Sequence, residues 1–177
     1  MSIHLHFRAV AKSEIRDDHT WLAAFMHEAW QNHPAEYAEG VAGSIEKVFG
    51  LVNDLYAAAE TLGTDVDAGT DAGVDTGVGR AWELPVHGGR PVAHGAGADP
   101  SDPPMMLLEP PGVARAADFL AGVSFDELWS VAGAGVCGRL GEEAQARQEF
   151  LRYHEDLRRL YGRAASAGRA MVKVVWA

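Results

Sequence analysis

The amino-acid sequence predicts one α+β domain, and three observations carry that expectation. Its 177 residues are 47% hydrophobic and 23% charged, the composition of one ordinary globular unit able to build its own core. Apolar residues recur at helical spacing over several stretches, while period-2 alternation is confined to the two ends and a central segment. No internal repeat is visible, and the length is too short for a (β/α)8 barrel, which needs at least about 200 residues.

At the start, Ile3, Leu5 and Phe7 alternate with His4, His6 and Arg8, which predicts a half-buried strand. Asp17 or Asp18 is placed to cap a helix with Trp21, Leu22, Phe25, Met26, Ala29 and Trp30 on one stripe. Pro34 restricts His33, so that helix is expected to stop there. Ser44 is expected to cap a second helix carrying Ile45, Val48, Phe49, Val52, Leu55, Tyr56, Ala59 and Leu62, ended by Gly63. Residues 63–79 hold four Asp, five Gly and no Lys or Arg, so they read as an exposed, flexible loop insertion.

Residues 82–92 regain strand character around Trp82, Leu84, Val86 and Val92, and 94–104 read as a second flexible loop insertion. Met105 to Leu108 is expected to be extended. Pro111 suits the first turn of a third helix through Phe119 and Leu120. Ser124 and Glu127 have capping-box spacing for a short fourth helix with Phe125, Leu128 and Trp129. A glycine-rich break over 133–141 then leads to a long fifth helix from Glu142 to Ala167, closed by Gly168. Met171 to Trp176 is the final strand.

The formal charge of −10 is uneven, with −13 over residues 1–138 and +3 over 139–177. That acidity disfavours nucleic acid as a partner. The only basic stripe, Arg147, Arg152, Arg158, Arg159 and Arg163, is interleaved with acids. Glu143 and Arg147, Glu155 and Arg158, and Glu155 and Arg159 are spaced for intrahelical pairing, so a solvated helix face is expected. The start of the chain lacks a signal-peptide pattern and no apolar run reaches membrane length, so a cytoplasmic, non-membrane protein is the expectation.

Candidate chemical motifs each lack an obligatory partner. His4 and His6 share a strand face but have no further ligand cluster, so two histidines on a half-exposed face are expected rather than a metal site. His27-Glu28 begins like a zincin helix, yet Gln31 stands where the second histidine is needed. Asp65, Asp67 and Asp71 fit three positions of a calcium loop, but Gly69, Thr70 and Thr76 occupy positions that need an oxygen ligand, glycine and glutamate. Gly133-Ala134-Gly135-Val136-Cys137-Gly138 matches a dinucleotide fingerprint in letters only. Too little chain follows it for a wound sheet, so it reads as a connector, with Cys137 an incidental loop cysteine and no cofactor implied.

One locus is left for a small ligand. His87-Gly88-Gly89-Arg90 could hold an anion on paired glycine N–H groups beside His87 and Arg90, although no nucleophile elbow accompanies it.

The ordered set of segments resembles the YfbM-like family, a bacterial domain of unknown function. The matching pieces are Phe7-Arg8-Ala9-Val10 with Ser13-Glu14-Ile15, then Ile45-Glu46-Lys47-Val48-Phe49 and Gly88-Gly89-Arg90-Pro91. Leu108-Glu109-Pro110-Pro111-Gly112-Val113, Phe125-Asp126-Glu127-Leu128 and the last helix with Leu151, Tyr153, Leu157, Tyr161 and Ala164 complete it. Glu46, Phe49 and Asn53 depart from that pattern, as does His87 where an aliphatic residue is usual. The resemblance implies an α+β fold and a bacterial cytosolic origin, and brings no catalytic residues.

Two functional expectations follow. The leading one is a non-catalytic binding or protein-interaction module, with the reading leaning away from catalysis. The alternative is a small-molecule enzyme or ligand sensor built around His87 to Arg90.

Overall fold

The computed structural model describes residues 3–63 and 79–176, so most of the acidic insertion expected at 63–79 lies outside the described residues. The chain is an α+β protein built on a five-stranded antiparallel sheet in the order β2-β1-β5-β4-β3. β1 (His4–Ala11) pairs with β2 (Ala42–Glu46) on one side and β5 (Arg169–Trp176) on the other. β5 also pairs with β4 (Met106–Leu108), and β4 with the two-residue β3 (Arg90–Pro91). The first and last described strands are thus neighbours at the centre of the sheet.

Alternation along these strands feeds two cores. On one face Leu5, Phe7, Ala9, Ile45 and Met171 pack against α3 (Phe49–Leu62), α4 (Pro110–Gly122), α5 (Phe125–Leu140) and α6 (Glu143–Ser166). On the other face Val10, Val172 and Val174 meet Leu22 and Met26 of α1 (His19–Gln31) together with Val92 and Met105. A short α2 (His33–Glu39) follows α1. Helices on both faces explain why no position of β1 or β5 is exposed, unlike the half-buried strand expected at the start of the chain.

Several local expectations hold. Asp18 caps α1 by accepting a hydrogen bond from the Trp21 N–H at 2.8 Å. Gly63 ends α3 at φ 66. Ser124 caps α5, its hydroxyl accepting from the Glu127 N–H at 3.4 Å.

Other expectations are corrected. There are six helices among the described residues, not five, because Pro34 opens α2 instead of only closing α1; its missing N–H falls where a first helical turn has no partner to lose. Ser44 and Ile45 lie in β2, not at a helix start. The apolar spacing of Ile45, Val48, Phe49 and Val52 runs across a strand, a corner at Lys47 (φ 49) and the start of α3. The glycine-rich stretch is no break: α5 continues to Leu140, and a Cβ on Gly133 would lie 2.7 Å from the Trp129 indole. Close packing there offsets part of the propensity cost of glycine in a helix. Cys137 therefore sits half-buried near the end of a helix and not in a loop before one.

Residues 81–87 form turns, and only Arg90–Pro91 is strand. The expected pairing along α6 is also replaced: Arg147 bridges to Asp126 of α5, and Arg159 pairs with Asp156 at 3.3 Å.

Candidate functional site

The His87 to Arg90 segment is brought together as one turn, but its groups turn to different neighbours. His87 is exposed, its ring 6.0 Å from that of Phe49 on α3. Burial and the nearby Lys173 hold its imidazole below the usual histidine range, against the pull of Asp54 and Glu83. Arg90 faces Asp17 at 2.8 Å and Glu109 at 3.7 Å, so two carboxylates already match its charge. The glycines answer geometric demands. A Cβ on Gly88 would come within 2.5 Å of the Leu84 Cα, and one on Gly89, at φ +122, would lie 3.0 Å from the Leu107 carbonyl oxygen.

Beneath this turn lies a feature the motif search missed. Lys173, on β5, is 1% exposed and donates to the carbonyls of Leu84 and Gly88, the latter at 2.8 Å. Tyr161 of α6 donates to the Pro85 carbonyl at 2.9 Å. These two side chains satisfy backbone oxygens that the irregular 81–88 segment cannot pair through a ladder. Burial pushes the Lys173 ammonium well below the usual lysine range. The available signal was a lysine inside the apolar run Met171-Val172-Lys173-Val174-Val175. A second buried pair, Tyr56 and His154, spans α3 and α6 with 3.3 Å between the hydroxyl and Nδ1. Burial lowers His154 to about 4.

On the opposite face, His4 and His6 are not the half-exposed pair expected. His6 is 3% exposed, since Trp30 and Tyr37 from α1 and α2 cover it. The Tyr37 hydroxyl receives a hydrogen bond from Ser44 and lies 3.1 Å from His6 Nδ1, which it therefore donates to. His6 Nε2 is left without a partner among the described residues, its ring standing edge-on to Trp30 at 4.9 Å. Burial first, then His4 and His33, lower His6 to about 4. Among the described residues no group of three or more His, Cys, Asp or Glu side chains is arranged to hold a metal ion. No helix there is long and apolar enough to cross a membrane.

Two cavities stand out. A groove of about 430 Å³ beside the 94–104 loop has an apolar floor including Met105, Val174 and Trp176, with His19 and His94 at its rim. The smaller, of about 180 Å³, runs along the outer edge of β2, between Gly43, Ser44 and Tyr37 on one side and Arg152, Asp156 and Arg159 of α6 on the other. Its backbone chemistry follows from register. Lys47 N–H bonds to the Ile3 carbonyl and Ala9 N–H to that of Val41, so Gly43 and Ile45 pair with β1. The N–H and C=O of Ala42, Ser44 and Glu46 then point away from the sheet.

Glu46 is closed off: its N–H reaches the Tyr153 hydroxyl and its carbonyl accepts from Val48. The Ser44 backbone has no partner among the described residues. Beside it, Arg152 is exposed and has no carboxylate within ion-pair reach among the described residues. Its guanidinium stands 4.8 Å over the Tyr153 ring. This arrangement offers a backbone donor and acceptor next to a stacked, unmatched cation.

Comparison with known families places the whole fold. The model of a domain of unknown function, DUF1877, matches residues 1–174. The chain belongs to that family. Membership of DUF1877 covers both layers of helices and all five strands, and assigns no activity. No match was found among curated proteins or among solved structures.

Proposed function

We propose that this DUF1877 chain is a non-catalytic binding module of the cytoplasm, of the YfbM-like kind its motifs resemble, and that it holds a protein partner at the cleft along β2. The observation that carries this reading is the Ser44 backbone, without a partner among the described residues, beside Arg152, whose charge no described carboxylate matches. The other conspicuous polar groups are spent on the fold: Lys173 and Tyr161 on the 81–88 carbonyls, His154 on Tyr56, Arg90 on Asp17 and Glu109. The acidic chain favours a protein over a nucleic acid. A small-molecule site at His87 to Arg90 has against it the pairing of Arg90 and the packing role of both glycines.

Filling the cleft tests the reading. A Cβ on Gly43 meets only Leu160 Cδ2, at 3.5 Å, so Gly43→Phe places its ring in the cleft. Tagged wild type should enrich a defined protein from host lysate, and Gly43→Phe should lose it while the distant surface variant Arg139→Ala retains it. A capture that Gly43→Phe leaves unchanged, or no capture by the wild type, overturns the proposal.

A further inference from the structure

We propose that the occupant of this cleft is an extended, acidic segment that adds one residue to the β2 edge at Ser44 and sets a carboxylate on Arg152; this rests on the interaction reading above. Backbone geometry limits the form of the ligand. Ala42 is buried and Glu46 has both backbone groups engaged, so the open part of the edge is the single residue Ser44. A hydrogen-bonded antiparallel pair needs one N–H and one C=O from each side, and Ser44 presents both. A cleft of about 180 Å³ accepts a side chain or two, not a helix.

Charge decides the side chain. Arg152 and Arg159 of α6 line the cleft and Arg163 lies beside it under Gly40, with different commitments. Arg163 donates to the Glu39 carbonyl and packs under Gly40, and Arg159 is held by Asp156. Arg152 has neither a carboxylate within ion-pair reach nor a carbonyl holding it among the described residues, and stacking on Tyr153 holds its planar fork ready for a carboxylate. The net charge of −10 does not forbid an acidic ligand, because at physiological salt charges beyond about 8 Å are largely screened.

A second copy of the chain fits this edge poorly. Two β2 strands paired about Ser44 would next set Ala42 against Glu46, whose backbone groups are already used. Only one residue pair would form at the symmetry axis.

The experiment uses the full chain and a fluorescein-labelled, end-blocked heptapeptide, Thr-Val-Glu-Val-Glu-Val-Thr, with a control in which both Glu are Gln. Anisotropy should show saturable binding, at least about tenfold weaker for the Gln peptide and for Arg152→Glu. A peptide with Lys in place of Glu should bind Arg152→Glu better than it binds wild type. Ser44→Pro should abolish binding, since it removes the outward N–H and leaves the β1 ladder intact, as edge strands allow. Should that variant fail to fold by circular dichroism, the exposed Arg152→Glu and its charge-swapped peptide decide.

Equal binding of Glu and Gln peptides overturns the proposal, as does absence of binding. So does a concentration-dependent dimer that Ser44→Pro dissolves. Peptide failure with capture still lost in Gly43→Phe overturns the acidic segment alone; failure of both overturns the interaction reading as well.

Discussion

Beneath α4 to α6 the sheet buries Lys173, Tyr161 and the Tyr56–His154 pair, and each finds a hydrogen-bonding partner. Beneath α1 and α2 His6 Nε2 and Glu36 Oε2 have none among the described residues, nor has Trp176 Nε1 on that face, whereas the first face leaves only Asn53 Oδ1 of α3 so placed. Arg8 holds Glu36 through its other oxygen and covers Phe25, with 4.0 Å from guanidinium carbon to ring centre. The contrast teaches where the fold is secured. An unsatisfied buried polar atom costs about 1–3 kcal/mol, so the α1–α2 layer is the looser of the two.

The largest expected effect is on the satisfied face. Lys173→Ala should cost about 3–5 kcal/mol, combining a cavity with two carbonyls left unpaired, as read from urea unfolding midpoints. His6→Leu on the other face should cost under about 1 kcal/mol, because it also removes an orphaned nitrogen. Comparable losses for the two would break the contrast.

Gly88→Ala comes next. The clash with the Leu84 backbone should cost about 2 kcal/mol and shift the 81–88 segment, visible as lost amide protection there. Wild-type protection after this substitution would mean that Lys173 and Tyr161 do not depend on that turn.

Acid sharpens the comparison further. His6 and His154 are both lowered to about 4 in the fold, below the 6.5 of an unfolded histidine. The unfolded chain then binds more protons between these values, so stability falls as pH drops from about 6.5 towards 4 and levels off below. Each face carries one such histidine hydrogen-bonded to a tyrosine, so the acid penalty is shared. Hydrogen exchange at pH 5 should open α1 and α2 before α4 to α6, because that layer starts with His6 Nε2 and Glu36 Oε2 unpaired among the described residues. Simultaneous opening of both layers would refute the ranking. The smallest effect is at the surface: Arg147→Ala breaks an exposed pair with Asp126 and should change stability by no more than about 0.5 kcal/mol in thermal melts.

Legibility of the fold in the sequence follows the range of the forces involved. The cap of α1 is readable because Asp18 acts three residues along the chain, and β5 because Met171 to Trp176 is compact and apolar. β2 is hidden because Ile45, Val48 and Phe49 continue a helical spacing across a corner that only tertiary pairing with β1 enforces. The glycines of α5 mislead because the helix runs through them, with Gly133 alone packed against Trp129. The cleft was out of reach for the same reason: Ser44, read as a helix cap, and Arg152, read as part of a solvated face, belong to elements far apart in sequence. His87 to Arg90 was visible as a motif, while the Lys173 that ties its backbone was not.

The position of β5 has a consequence for how the protein is made. β1 is made long before β5, yet one of its flanks is filled only when residues 169–176 arrive. Until then β1–β2 and β3–β4 are two separate hairpin-like pieces, each with an open inner edge. Contacts of such long sequence separation form slowly, and open edges invite wrong partners while they last. Before β5 is made the chain therefore carries two edges that the finished sheet never shows, and β5 closes both.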